Sequence, residues 1–289
     1  MERVFLTGNY ADMRRKVYDI KREYSFASCG VCARTWAGRA IFTLGIGNQK
    51  DVVIFTGCIN GTHSDTPFAL LKVFENICRA YSHNECICGI RLNDSLKNKG
   101  VLFVPCLNPD GMEMHTHGAS AAGCYAGLVQ RLCSYEFSDW QANAAGIDLS
   151  HNISADWKAI KSLETNLGYT SPGAKYYGGK TCISEPETRA FAKLCQSRKV
   201  RHIITVGSGN NTVYGSKLHD EKQALMLKIF RLCSGFTEAE KPMDISTYNG
   251  FTDWFSANFS RPAFAVEVND INGKDYSGFE ELCILSSIM

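Results

Sequence analysis

The chain lacks the features that tie a protein to nucleic acid, to lipid or to an export route. Its 31 Lys and Arg against 29 Asp and Glu leave a net charge of only +2, so nothing favours a polyanionic partner. Nucleic acid and membrane surfaces are therefore not expected as partners. No apolar run reaches the roughly 18 residues that a spanning helix needs. The stretch from Met1 to Gly8 has neither the basic start nor the long apolar core of a signal peptide, and the location expected from this is cytoplasmic. Linkers and low-complexity blocks are also missing, which implies one domain over residues 1–289. A second Cys-x-x-Cys is absent too. Cys29-Gly-Val-Cys32 has metal or redox spacing, but Cys86-Ile-Cys88, which could partner it, has the wrong spacing for a zinc ribbon.

Cysteine itself is abundant, with 13 residues. Cys78, Cys106, Cys133, Cys195, Cys233 and Cys283 fall in apolar runs, where a reduced thiol acts as a small hydrophobe. A disulfide framework is not expected in a chain of this length without an export signal. Residues 51 to 74 organise the rest. Val52–Phe55 is a short β-branched run that reads as a buried strand. A polar turn follows, and a helix then starts with Asp65 or Thr66 as N-cap and Pro67 in its first turn. Leu70, Val73, Phe74, Ile77 and Cys78 repeat at helical spacing. Strand, polar turn and helix place the turn at the carboxyl end of a strand, where open α/β sheets hold their sites.

Further strands are expected at Arg39–Gly47, Gly100–Pro105 and Val200–Val206, and helices at Glu221–Cys233 and around Phe279 to Leu285. The run Asn108-Pro-Asp-Gly111 has turn chemistry. Met114 to Phe137 reads as a surface loop with one short helix near Gly127–Cys133. Ser184-Glu-Pro-Glu187 has the form of a capping box, with Ser184 as N-cap and Glu187 reaching back.

The turn Gly57-Cys-Ile-Asn60-Gly-Thr-His63 resembles the Gly-x-Ile-His-Gly-x-Glu turn of the zinc carboxypeptidases, in particular the branch of bacterial γ-D-glutamyl-diamino acid (peptidoglycan) peptidases. In that family the His and the Glu both bind zinc; here Asn60 and His63 stand in their places. The resemblance extends through Gly38-Arg-Ala-Ile41, Asn108-Pro-Asp-Gly111, Trp140 to Asn152, Glu185-Pro-Glu187, Tyr248 to Trp254 and Arg261 to Glu267, all in the family's order. It implies a mixed, mostly parallel twisted α/β sheet with helices on both faces. It places the third zinc ligand at Gly207 and the general base at Glu267. It places the pair that holds the substrate carboxylate, Asn-Arg in many members, at Ser150 and His151, and it marks Tyr248 as a further substrate contact.

Some of these positions have plainer readings. His151 is also readable as a loop histidine with no ligand, and Glu267 as an ordinary strand carboxylate alternating with Val266. His202 lies mid-strand and cannot replace a ligand at Gly207 without a register change.

A zinc hydrolase needs three protein ligands and an open position for water. Of Asn60, His63 and Gly207, only His63 is a good ligand, so zinc is expected to be absent or weakly held. Water without the metal stays near its bulk pKa of about 15.7 rather than about 7. The expectation is a pseudopeptidase that binds a peptide or peptidoglycan-derived fragment, motivated by Glu267, Trp254 and Tyr248. The alternative is an active metallocarboxypeptidase with a remodelled site, in which His115, His117 or His151 joins His63. A cysteine hydrolase built on Cys58 has no readable His partner.

Overall fold

Strands that are β-branched and apolar on both faces must be covered on both faces, and the sheet is built that way. In the computed structural model, residues 8–133, 136–218, 220–240, 250–269 and 276–289 are described. The strands are β1 (Ser28–Arg34), β2 (Ala40–Gly47), β3 (Asp51–Gly57), β4 (Cys86–Ile87), β5 (Ile90–Arg91), β6 (Gly100–Val104), β7 (Lys199–Ser208), β8 (Thr212–Gly215), β9 (Thr237–Glu238) and β10 (Ala263–Val268). Eight of them form one sheet in the order β1-β2-β6-β3-β7-β10-β8-β9, while β4 and β5 make a separate hairpin. The central run β6-β3-β7-β10 is parallel throughout. The flanking pairs β1-β2, β2-β6 and β10-β8 are antiparallel. The fold is thus the expected mixed, mostly parallel α/β sheet.

Alternation along the strands divides the core in two. Val53, Phe55, Ile204 and Phe264 point to the face covered by helices Tyr10–Glu23, Thr66–His83, Glu221–Ser234 and Tyr276–Ile288. Val52, Ile54, Ile203 and Ala263 point to the other, covered by Leu149–Asn152, Pro186–Gln196 and Phe251–Phe259. Helix Thr66–His83 buries Leu70, Val73, Phe74, Ile77 and Cys78, as their spacing requires, and ends at Asn84 in the left-handed region (φ 56°). The neighbours of β3 are β6 and β7, one on each side, and both follow it in sequence. The crevice that opens where chain order reverses therefore lies at the carboxyl ends of β3 and β7. No helix among the described residues is long and apolar enough to cross a membrane.

Three local expectations need correction. The expected short helix near Gly127–Cys133 is present as Ala126–Leu132, but residues 114–125 before it are not a loop. Asn108 caps a helix Pro109–His117 by accepting from the Gly111 N–H, and short helical stretches Gly118–Tyr125 and Ala126–Leu132 follow. The small residues that suggested a loop are packing surface: Ala119 and Ala122 are buried against Met114, Val129 and Trp140 in a third, smaller core. The Ser184 capping box does not form either. Glu185 is the N-cap of helix Pro186–Gln196, and Ser184 Oγ donates to Glu185 Oε1 (2.8 Å). The Glu187 side chain is instead buried toward Asn143. Finally, Cys78, Cys106, Cys195 and Cys283 are buried as expected, but Cys233 is exposed and Cys133 half-buried; all thirteen thiols are free.

Candidate functional site

The turn after β3 is set by close packing. A Cβ on Gly57 would come within 2.9 Å of Leu70, Thr66 and the Pro105 carbonyl, so only glycine fits there. Cys58 follows in the left-handed region (φ 48°), its N–H donating to Thr66 Oγ1 (2.9 Å). Asn60 Oδ1 then accepts from both the N–H and the hydroxyl of Thr62 (3.0 and 2.8 Å), an Asx turn. The His63 N–H donates to the Asn60 carbonyl (3.1 Å), and its own carbonyl accepts from Thr66 Oγ1 (2.9 Å). These bonds fix the His63 backbone at the strand-to-helix corner.

Register brings the remaining groups to the same place. Glu267 of β10 is paired with Gly207 of β7, and Gly57 of β3 with Val206. A cavity of about 270 Å³ opens here, lined by Asn60, His63, Ser150, Gly207 and Glu267 among others. Two glycines make room for its side chains. A Cβ on Gly207 would lie 3.0 Å from His63 Cε1 and 3.1 Å from Nδ1, and one on Gly209 would lie 2.5 Å from Glu267 Oε2. Glu267 Oε2 accepts from the Tyr214 hydroxyl (3.2 Å). Burial and the Glu267 carboxylate push the Tyr214 phenol up, which keeps it a donor. Burial holds His63 below the ordinary histidine range, against the pull of Asp65 and Asp148 and with the help of His115. The imidazole is therefore neutral at neutral pH.

Ser150 and His151, adjacent in sequence, part company. Asp148 caps the one-turn helix Leu149–Asn152, accepting from the Ser150 N–H (3.0 Å) and Oγ (2.6 Å), so Ser150 faces the cavity with its proton already given. His151 is not a cavity residue. It is 1% exposed, with Nδ1 3.0 Å from Glu164 Oε1, and Glu164 also binds Lys161 and the Gly178 N–H. Trp254 is likewise a core residue, packed on Phe191 and Phe259. His202 is fully buried, with Nε2 2.7 Å from Ser286 Oγ. Tyr248 lies outside the described residues.

Two contacts had no local signal. Ser208 Oγ donates to Asp65 Oδ1 (2.7 Å), tying the end of β7 to the start of helix Thr66–His83; the Asp65 side chain makes no cap bond. Gln141, next to Trp140, lines the cavity.

The zinc carboxypeptidase family profile matches residues 13–270. The chain belongs to the zinc carboxypeptidase family. Among curated relatives, it is 26% identical over 260 residues to the uncharacterized protein YqgT of Bacillus subtilis (strain 168), covering 88% of this chain and 67% of that one. It is 24% identical over 264 residues to gamma-D-glutamyl-L-diamino acid endopeptidase 1 of Lysinibacillus sphaericus, covering 90% and 65%. The chain thus spans about two thirds of the length of these relatives. Solved structures share the fold. Thrombin-activatable fibrinolysis inhibitor superposes with a TM-score of 0.74 at 14% identity, covering 98% of this chain and 73% of that one. Murein-tripeptide amidase MpaA of Escherichia coli O157 superposes with a TM-score of 0.52 at 15% identity, covering 90% of each.

The family's metal does not fit the residues present. Asn60 offers a neutral amide whose oxygen already accepts two hydrogen bonds from Thr62. Gly207 offers no donor, and the His63 ring stands where a side chain at 207 would begin. Among the described residues, no group of three His, Cys, Asp or Glu side chains is placed to hold a metal ion. That includes His115, whose Nδ1 lies 3.2 Å from the Phe137 carbonyl, and His117, which faces Glu113 (3.6 Å). The Cys29 and Cys32 thiols lie on edge strand β1, and burial pushes Cys32 up to about 11.

Proposed function

We propose that this protein is a pseudopeptidase: it keeps the zinc carboxypeptidase framework and uses the cavity at the ends of β3, β7 and β10 to bind a peptide without hydrolysing it. One observation carries this reading. The three positions that would hold the metal present one neutral imidazole, one engaged amide and one glycine, with the imidazole occupying the glycine's side-chain space. A single nitrogen ligand cannot make the three-ligand site that lowers the pKa of water. Glu267 without activated water is a weak base for amide hydrolysis.

The ligand class follows from a relative. The Lysinibacillus sphaericus protein is a γ-D-glutamyl-L-diamino acid endopeptidase, and we assign to this cavity the same kind of peptide as a bound ligand. Glu267, Ser150 and Gln141 are the contacts within its walls.

The test is calorimetric titration with γ-D-glutamyl-meso-diaminopimelyl peptides, with mass spectrometry of the peptide after prolonged incubation. Saturable binding with intact peptide supports the proposal. Chelator-sensitive cleavage would establish the active, remodelled metallopeptidase instead. Absence of binding to every such peptide would remove the ligand assignment.

A further inference from the structure

The site differs from a carboxylate-binding cleft in the sign of its charge. The resemblance puts carboxylate capture at Ser150 and His151, and neither delivers a positive charge to the cavity. Ser150 gives its hydroxyl proton to Asp148. His151 is buried against Glu164. Among the described residues, no Lys or Arg lines the cavity. His63, the imidazole among the described wall residues, is packed over Gly207.

Negative charge is present instead. Glu267 stands in the wall, and among the described residues only the Tyr214 hydroxyl donates to it. Two further carboxylates stand directly behind the wall: Asp65 accepts from Ser208 Oγ and Asp148 from Ser150 Oγ, both hydroxyls of cavity-lining residues. A ligand carboxylate placed here would meet like charge with no Lys or Arg among the described wall residues to offset it, which costs affinity. A protonated amine would gain a charge-assisted hydrogen bond to Glu267. Ile59, Val206, Phe251 and Ala265 supply apolar wall, suited to the methylene stem that carries such an amine.

We infer that this cavity recognises a protonated primary amine on an aliphatic stem, held by Glu267, and not a carboxylate. The inference rests on the reading of the cavity as a peptide-ligand site and names the group of the ligand that enters it. Glu267 is then a binding residue, at the position where the family resemblance places a general base.

The experiment uses two sets of probes on the full chain. The first is n-pentylamine against pentanoate, followed by NMR titration. The second is γ-D-glutamyl-meso-diaminopimelate with its side-chain amine free or acetylated and its carboxylates free or amidated. Pentylamine should bind and pentanoate should not. Acetylating the peptide amine should weaken binding by about tenfold or more, the loss of one charge-assisted bond, and amidating the carboxylates should change it less than about twofold. Glu267→Gln, which keeps the Tyr214 hydrogen bond, should remove the preference for the free amine. The acetylated peptide makes the same test on the unaltered protein.

Pentanoate binding as well as pentylamine, or an amine preference that survives Glu267→Gln, overturns the inference. Peptide binding indifferent to acetylation leaves the peptide-binding reading standing and rejects this one. Glu267-dependent capture of pentylamine with no peptide bound does the reverse. No binding of either set rejects both.

Discussion

The imidazole of His63 occupies the place where a side chain on Gly207 would begin: a Cβ at 207 would lie 3.1 Å from Nδ1. Two of the family's ligand positions are thereby coupled by packing, since any residue larger than glycine at 207 has to displace the ring. Gly207→Ala should cost about 1 kcal/mol or somewhat more through overpacking. The cost should vanish in a His63→Ala background. Urea denaturation of the two single variants and the double variant measures the coupling; additive effects would contradict the contact.

The same geometry indicates how to restore the metal. Asn60→His, His63→Glu and Gly207→His together remove the obstructing ring and supply three ligands of the family's types. The triple variant should take up about one zinc per chain from micromolar zinc. A folded triple variant that takes up none would show that the framework itself has drifted.

His151 has a structural task. Its Nδ1 meets Glu164 at 3.0 Å with both side chains out of solvent. Glu164→Ala leaves Lys161 and His151 without their shared carboxylate and should cost about 3–5 kcal/mol, as for other broken buried pairs. Chemical denaturation reads this directly. A change under about 1 kcal/mol would mean that the pair is solvated and weak.

Glu187 sets a pH dependence of stability. Burial, with Asp110 and Glu185 adding to it, pushes its carboxyl up to about 8 against its own backbone N–H and Asn143, and its Oε1 has no hydrogen-bond partner among the described residues. In the unfolded chain the group ionises near 4.5. Between these values the folded state holds a proton that the unfolded state has lost, so stability is greatest below about 4.5 and falls as pH rises toward 8. Glu187→Gln removes this loss. Its advantage over the parent protein should grow with pH at up to about 1.4 kcal/mol per unit, read from denaturation midpoints across that window. A difference that does not change with pH would contradict it.

The fold was largely legible because its signals are local. The β-branched runs at Val52 and Val200 can only be buried strands, and the spacing from Leu70 to Cys78 fixes the buried face of a helix. Motif order anticipated that Asn60, His63, Gly207 and Glu267 share one corner, and register pairs Glu267 with Gly207. What escaped the sequence depends on contacts between distant residues. Ser208 meets Asp65 across 143 positions, and nothing near Asp65 distinguishes that bond from an ordinary helix cap. His151 and Ser150 are neighbours, yet a one-turn helix sends one into the core and the other to the cavity. Ala119 and Ala122 looked like loop residues because their role is to be small against Trp140.

Metal content tests the central claim most directly. The protein, purified without a metal-affinity column and without added zinc, is examined by elemental analysis before and after equilibration at micromolar zinc. The account predicts far less than one zinc per chain in both states, with no change on His63→Ala. Retention of about one zinc per chain, lost when His63 is replaced, would contradict it and show a functioning metal centre with an unorthodox ligand set.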